Sequence, residues 1–214
     1  MSFHIKISDM HIDILREVGN IGAGHAATAL STLLNKKIDM KVPNVRIVSF
    51  DEMMEMAGGA ESVIASVFLR IEGDAPGSMF FVLPLRQAEK FIRLLIGDQS
   101  FSFSDSEVNE LALSALQEMG NILSGSYLSS LSDFTRLNLM PSVPALSIDM
   151  AGAVISFGLL ELSQVSDYAI VIDTALNDDE GQDADSSVKG HFFLLPDPES
   201  FNTIFRALGV LVDV

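Results

Sequence analysis

Hydrophobic positions along the first half of the chain switch between helical and strand spacing. Apolar residues recur every three or four positions from about Ser8 to Leu34, which predicts an amphipathic helix with Ser8 or Asp9 at its N-cap. Alternation predicts a strand at Val42–Phe50 that begins near Pro43. The elements expected next are a short helix at Asp51–Ala57 closed by Gly58 and Gly59, strands at Val63–Ile71 and Ser78–Leu83, and a helix at Leu85–Ile96 that ends at Gly97.

The second half repeats this order. Its expected elements are a helix from Ser106 to about Leu131 capped by Asp105, a strand at Val143–Ile148, a helix at Asp149–Leu160, strands at Tyr168–Ala175 and Gly190–Leu195, and a helix at Glu199–Leu208. Residues 81–84 match residues 193–196, and the additional length of the second half lies in an acidic loop at Asn177–Ser187. The pattern predicts an internally duplicated α/β (α+β) fold of pseudo-twofold symmetry, with long helices packed on an antiparallel sheet. The expected repeats are residues 1–104 and 105–214, integrated in one domain.

One polar triplet occurs at the same place in both predicted long helices. The first copy is Asp13, Glu17 and Asn20, followed by Pro43, and the second is Ser114, Glu118 and Asn121, followed by Pro144. Every member is offset by 101, and 22 residues separate each asparagine from its proline. Spacings of i, i+4 and i+7 place the three side chains on one stripe of a helix. Such a stripe is either a solvated helix face or a site, and the matched repetition favours a duplicated site.

The residue types of the triplet suit hydrolysis. A carboxylate beside a carboxamide supplies a base or ion-pairing group next to a group that can orient water. The same helices carry unusually many glycines, although glycine inside a helix costs about 1 kcal/mol relative to alanine. These glycines are Gly19, Gly22, Gly24, Gly120 and Gly125. We therefore predict close approach of another helix or of a partner at these positions.

Charge and composition exclude several classes of function. The formal net charge is −16, and an acidic protein of this kind repels nucleic acid and anionic lipid. The chain has no cysteine, which excludes disulfides and thiolate metal sites. The N-terminus lacks the apolar core of a secretory signal, and the longest apolar run, Met150–Leu160, is shorter than the roughly 20 residues that span a bilayer. We expect a cytoplasmic protein without nucleic-acid binding or membrane insertion.

Other candidate motifs are weak. Residues 22–27 match a dinucleotide-binding pattern, but no strand precedes them, as that motif requires. The four histidines lack the spacing of a metal site and are expected at the surface or at caps, so no metal ligand is predicted. Asp149 precedes an apolar run that begins at Met150. Asp149 is therefore either a buried capping carboxylate or the start of a helix that is exposed for a protein partner.

The doubled pattern Asp/Ser-x3-Glu-x2-Asn-x22-Pro, with Gly-Asn-Ile in both copies, closely resembles the CheC family of chemotaxis proteins, which includes CheX and FliY. The resemblance covers essentially the whole chain. No flagellar-switch domain follows Val214, so the chain is expected to be similar to CheC members rather than to FliY.

The resemblance implies a hydrolase, a phosphatase that acts on the aspartyl phosphate of phosphorylated CheY, the response regulator of bacterial chemotaxis. In that family the glutamate engages the regulator, and the asparagine positions the attacking water. Carried over by motif, the catalytic residues are Glu17, Asn20, Glu118 and Asn121. The protein is expected to need no cofactor of its own, because the regulator would supply Mg²⁺ and a lysine.

The same resemblance implies further contacts. Asp13 and Ser114 are expected to contact the regulator, while Pro43 and Pro144 are structural parts of the motif. Members of the family also bind CheD, a receptor-modifying deamidase. The region that begins at Asp149 differs from its counterpart in the first half, and for that reason Asp149 and Met150 are the expected contact. An alternative function remains open: a non-catalytic adaptor that binds CheD or sequesters CheY through the same surfaces.

Overall fold

The computed structural model describes residues 9–104, 110–161, 168–178 and 187–209. The first half contains helix α1 (Asp9–Leu34), strands β1 (Ile38–Lys41) and β2 (Val45–Ser49), helix α2 (Phe50–Met56), strands β3 (Val63–Gly73) and β4 (Gly77–Pro84), and helix α3 (Leu85–Ile96). The second half contains helix α4 (Glu110–Thr135), strands β5 (Leu139–Pro141) and β6 (Ala145–Met150), helix α5 (Ala151–Glu161), strands β7 (Tyr168–Asp178) and β8 (Val188–Pro196), and helix α6 (Pro198–Ala207). Both halves therefore have the same order of elements.

The strands form one antiparallel sheet in which the two halves exchange strands. The order is β1-β7-β8-β4-β3-β5, with β2 also paired to β7 and β6 also paired to β3. On one edge, β1 and β2 of the first half pair with β7, and on the other, β5 and β6 of the second half pair with β3. Each half completes its part of the sheet with backbone hydrogen bonds from the other half.

The centre of the sheet has the symmetry that the sequence repeat predicts. Strands β4 and β8 pair so that Phe80 lies opposite Phe193 and Phe81 lies opposite Phe192. Residues 81–84 correspond to residues 193–196 in sequence, and the same offset relates Phe80 to Phe192. A twofold rotation therefore maps the pair Phe80–Phe193 onto the pair Phe192–Phe81. The pseudo-twofold axis passes between β4 and β8.

Two hydrophobic cores cover the two faces of the sheet. The larger contains buried residues of α1, α3, α4 and α6, and the smaller contains those of α2 and α5. The long helices α1 and α4 lie against each other on the same face of the sheet. The predicted fold class, long helices on an antiparallel sheet, is confirmed. The division into repeats at 1–104 and 105–214 stays a prediction.

Helix and strand ends were predicted well where proline or glycine marks them. Helix α3 has the predicted ends, with Pro84 before it and Gly97 after it in a left-handed conformation of φ 71°. The strand predicted at Val42–Phe50 is shorter in the structure, where β2 is Val45–Ser49 and Phe50 begins α2. Strands β1 and β5 were not predicted, because four and three residues are too few to establish alternation.

Three further boundaries need correction. Helix α4 continues to Thr135, beyond the predicted end at Leu131, because Thr135 still belongs to its buried face. The helix predicted to begin at Asp149 begins at Ala151, since the backbone up to Met150 pairs with β3. Strand β7 includes Asn177, so the acidic loop is shorter than predicted. The predicted caps Ser8 and Asp105, and residues 179–186 of the loop, lie outside the described residues.

Among the residues that the structure describes, no helix combines the length and the apolar character that a membrane span requires.

Candidate functional site

The first triplet lies on the solvent-facing side of α1. Asp13, Glu17 and Asn20 are all exposed, while Leu15 and Val18 on the opposite side are buried against the sheet. The helix therefore separates a packing face from a polar face, as the spacing predicts. The structure brings the three predicted residues together on one surface.

Asn20 connects α1 to the turn between β1 and β2. Its Oδ1 accepts a hydrogen bond from the backbone N–H of Val42 at 3.1 Å, and its Nδ2 donates to the carbonyl of Arg16 at 3.0 Å. Val42 immediately precedes Pro43, which has no N–H to offer. The fixed spacing between asparagine and proline thus has a structural basis in this copy, because the hydrogen bond requires the turn to reach Asn20.

Asp13 forms an ion pair beside Asn20. The Arg16 guanidinium donates to Oδ1 of Asp13 at 2.6 Å, and both side chains are about half exposed. Exposed ion pairs of this kind contribute roughly 1 kcal/mol or less to the free energy of unfolding. The pair orients Asp13 and leaves Glu17 as the carboxylate of the stripe without a cation partner among the described residues.

The second triplet has the same placement on α4. Ser114, Glu118 and Asn121 are exposed, while Leu116 and Met119 are buried. Helix α4 is also connected to its turn, between β5 and β6, but by another residue. Gln117, the equivalent of Arg16, donates from Nε2 to the carbonyl of Pro144 at 3.1 Å. Both prolines therefore lie in turns that are held against the helices carrying the triplets.

The two asparagines differ in their hydrogen bonding. In the part of the chain that the structure describes, the Asn121 side chain makes no hydrogen bond. The residue equivalent to Val42 is Val143, and it is 87% exposed, whereas Val42 is 3% exposed. Val42 packs on Gly19, where an added Cβ would lie 3.4 Å from its Cγ2. The turn at Val143 does not close on α4 in this way, and the Asn121 amide is free to rotate.

Each turn is held by the other half of the chain. Asp173 of β7 donates its N–H to the carbonyl of Asn44 at 3.0 Å. In the second copy, Ser142 donates its N–H to the carbonyl of Arg70 at 2.8 Å, and its Oγ accepts the Arg70 N–H at 2.9 Å. The strand exchange therefore fixes the surroundings of both triplets.

The glycines fall into two classes. Gly22 lies at the contact of α1 with α4, where a Cβ would lie 2.8 Å from Cδ1 of Tyr127. Gly120 packs on Val67, 2.5 Å from where its Cβ would be. Gly22 confirms the predicted close approach of another helix, whereas Gly120 lies against strand β3 instead. Gly24 and Gly125 have nothing within 4 Å of a Cβ, so no contact within the described residues explains them.

The Asp149 region is exposed. Asp149 lies in β6, and its Oδ1 accepts the N–H of Met150 at 2.7 Å. The expectation of a buried capping carboxylate is wrong, because the backbone of Asp149 pairs with β3 and its side chain faces solvent. Met150 lies opposite Val63, and the two are 48% and 44% exposed. An apolar pair is thus exposed at this end of the sheet.

Two histidines are not where the sequence placed them. His11 is buried, and its ring packs edge-on against Phe205 at 5.0 Å between centroids. His191 is half-buried and hydrogen-bonds through Nδ1 to Asp173 at 2.8 Å. The described residues contain no group of three or more His, Cys, Asp or Glu side chains that could hold a metal ion.

Two stretches of the chain, residues 10–47 and 111–148, match the model of the CheC-like family. Each stretch contains one triplet and its proline. Over 209 residues the chain is 54% identical to the CheY-P phosphatase CheC of Bacillus subtilis (strain 168), covering 98% of this chain and 99% of that protein. The chain belongs to the CheC-like family. The flagellar motor switch phosphatase FliY of the same organism is 35% identical over 126 residues, which are 59% of this chain and 32% of FliY.

Solved structures show the same CheC-like fold. FliY from Thermotoga maritima superimposes with a TM-score of 0.70 over 96% of this chain and 98% of that chain, at 21% identity. The FliM middle domain from H. pylori superimposes with a TM-score of 0.67 over 94% and 99% of the two chains, at 12% identity. Proteins of low sequence identity to this chain therefore share its fold.

Sequence reasoning missed the residues that support the triplets. Val42 and Gln117 make the hydrogen bonds that connect the helices to the turns, while the Arg16 carbonyl accepts the Asn20 amide within α1. Gln117 is the equivalent of Arg16 by the offset of 101, but only Gln117 reaches a turn, because the Arg16 side chain pairs with Asp13. No repeated residue type marks these contacts in the sequence.

Proposed function

We propose that the protein is a phosphatase that hydrolyses the aspartyl phosphate of the chemotaxis response regulator CheY. The observation that carries the proposal is the pair of exposed triplets, each within a stretch that matches the family model. The 54% identity to a CheY-P phosphatase over nearly the full length of both chains supports the same activity. The exposure of both stripes suits a substrate that is itself a folded protein.

The reaction is transfer of a phosphoryl group to water. A bond forms between the water oxygen and phosphorus, and the bond between phosphorus and the aspartyl oxygen breaks. The regulator's carboxylate is restored, and the water proton leaves with the inorganic phosphate. Such a reaction depends mainly on positioning and on charge stabilisation. Mg²⁺ and a lysine are expected to come with the regulator, where they would balance the charge of the phosphoryl oxygens.

Asn20 and Asn121 are proposed to position the water. A carboxamide has two N–H donors and two acceptor lone pairs. After its two internal hydrogen bonds, Asn20 keeps one donor and one lone pair, enough to hold one water. Glu17 and Glu118, exposed one turn earlier, are proposed to pair with a cationic side chain of the regulator.

Phosphate release from phosphorylated CheY tests the proposal. The double variant Asn20→Ala/Asn121→Ala should lose at least about 100-fold in kcat, because nothing then orients the water. Binding of the regulator should survive, since both glutamates remain. Because Asn20→Ala also removes the acceptor of the Val42 N–H, Asn121→Ala is measured beside the double variant. Asn121 makes no hydrogen bond among the described residues, so a loss of activity in that variant cannot come from a lost internal contact. Undiminished hydrolysis by the double variant would favour the adaptor, in which the triplets serve only for docking.

We also propose that Asp149 and Met150 contact CheD. The exposed apolar pair of Met150 and Val63, with a carboxylate beside it, supports a protein contact at this end of the sheet. Asp149→Lys should weaken CheD binding in a pull-down or by calorimetry, because the charge reverses at the edge of the apolar pair. Equal CheD binding by wild type and variant would remove this surface from consideration.

A further inference from the structure

Each triplet has an exposed apolar residue one helical turn before it. Met10 precedes Asp13 on α1, and Leu111 precedes Ser114 on α4. They are related by the same offset of 101, and their exposed fractions are 65% and 66%. At 3.6 residues per turn, each lies on the stripe of its triplet. Exposed apolar residues are common, so it is the position of both residues on the stripe of a triplet, and not their exposure, that indicates a shared purpose.

A helical glycine lies one turn after each asparagine, at the other end of the stripe. Gly24 follows Asn20 by four residues, and Gly125 follows Asn121 by four. Both lie within helices, where glycine costs about 1 kcal/mol relative to alanine. Neither has a positive φ among the backbone angles of the described residues, so no turn requires glycine there.

No internal packing explains this second pair of glycines. An added Cβ would meet nothing within 4 Å at Gly24 or at Gly125. Gly22 gives the contrast, because a Cβ there would lie 3.0 Å from the Cα of Tyr127. Gly24 and Gly125 therefore leave helix backbone uncovered by side chains, one turn after the asparagines proposed to hold the water.

We propose that the response regulator docks along the whole stripe, with an apolar contact on Met10 or Leu111 and its own backbone passing over Gly24 or Gly125. The inference rests on the proposed function and names the residues that position its substrate. A regulator whose phosphorylated carboxyl group must come within hydrogen-bond reach of water on Asn20 brings the surrounding loop against the next turn of the helix. A side chain at Gly24 would hold that loop away. The apolar contact lies about 15 Å from the asparagine along the helix axis, and it fixes the orientation of the bound regulator.

The glycines are tested by the double variant Gly24→Ala/Gly125→Ala. We expect KM for phosphorylated CheY to rise about tenfold, with kcat little changed, because the loss is in binding. The melting temperature should stay the same or rise, since alanine favours an exposed helix. A lower melting temperature would show that the glycines serve packing and would overturn this part of the proposal. Gly22→Ala is the control with the opposite signature, a lower melting temperature from its contact with Tyr127.

The apolar contact is tested by Met10→Gln/Leu111→Gln. KM should again rise about tenfold with kcat little changed. The matched control is Leu33→Gln/Phe134→Gln, because these two are also related by the offset of 101 and are 56% and 47% exposed, but lie off the stripe. The control should leave KM unchanged. An equal rise in the control would show a general effect of surface polarity and would overturn the assignment.

The outcomes separate this proposal from the proposed function. Unchanged KM in either test variant overturns the docking stripe while the phosphatase activity of the wild type stands. If the wild type releases no phosphate, the phosphatase proposal fails, and the same variants are then compared for binding to CheY loaded with beryllofluoride and Mg²⁺. Binding weakened by about tenfold supports the stripe in an adaptor, and undiminished binding overturns it.

Discussion

At the scale of single residues, Asn20 and Asn121 occupy equivalent positions with different surroundings. Asn20 accepts from the Val42 N–H and donates to the Arg16 carbonyl, so its amide plane is fixed before any partner arrives. Asn121 has no such restraint among the described residues. The first site is thus preorganised, and the second must order its asparagine on binding, which costs conformational entropy. The same motif therefore holds a restrained asparagine in the first copy and an unrestrained one in the second.

This difference predicts unequal stability for the two alanine variants. Asn20→Ala leaves the N–H of the buried Val42 without its acceptor, which should cost about 1–2 kcal/mol in the free energy of unfolding. Asn121→Ala loses no hydrogen bond and gains helix propensity, so it should be neutral or slightly stabilising. Urea denaturation measures both. Asn20→Asp, which keeps an acceptor for Val42, should recover part of the loss. Equal stability of Asn20→Ala and wild type would contradict the structural role.

At the scale of elements, one carboxylate joins three strands outside the triplets. Asp173 of β7 accepts from Arg46 of β2 at 2.9 Å and hydrogen-bonds with His191 of β8 at 2.8 Å. Burial raises the pKa of Asp173, but the hydrogen bond with His191 and the charge of Arg46 outweigh burial and hold the pKa below its ordinary value of 3.8. Because β2 belongs to the first half and β7 to the second, this cluster reinforces the strand exchange.

The lowered pKa of Asp173 predicts how stability changes with pH. A carboxyl group with a lower pKa in the folded state stabilises the protein above its unfolded pKa, and this contribution is lost as the pH falls through the folded value. Asp173→Asn should therefore lower the free energy of unfolding by about 1 kcal/mol near neutral pH, a modest amount because water screens the half-exposed Arg46. The difference in the free energy of unfolding between variant and wild type should shrink below pH 3.8. Urea unfolding at several pH values measures it.

Asp39→Asn is the control for that measurement. Asp39 pairs with Lys41 at 3.4 Å on neighbouring β1, and both side chains are more than half exposed. Its replacement should leave stability unchanged across the same pH range. A constant difference between Asp173→Asn and wild type from neutral to acid pH would mean that packing, and not charge, makes Asp173 important.

At the scale of the whole molecule, the sequence predicted the helices and the longer strands, but neither the short strands β1 and β5 nor which strands pair. Periodicity and punctuation by residues such as Pro84 and Gly97 depend on near neighbours, so α3 was predicted from end to end. The pairing of β2 with β7 joins residues more than 100 positions apart, and no local pattern encodes it. The triplets were visible because they repeat, whereas the hydrogen bond from Val42 to Asn20 depends on how the turn docks on the helix.

The exchange of strands has a consequence for how such a protein changes over generations. A substitution in α1 or α4 alters the exposed stripe of one site and leaves the other intact. A substitution in β4 or β8 acts at the symmetry axis, where Phe80 meets Phe193, and alters the frame of both sites together. Selection can therefore adjust the two sites separately through the helices, while through the sheet it preserves them or loses them as a pair.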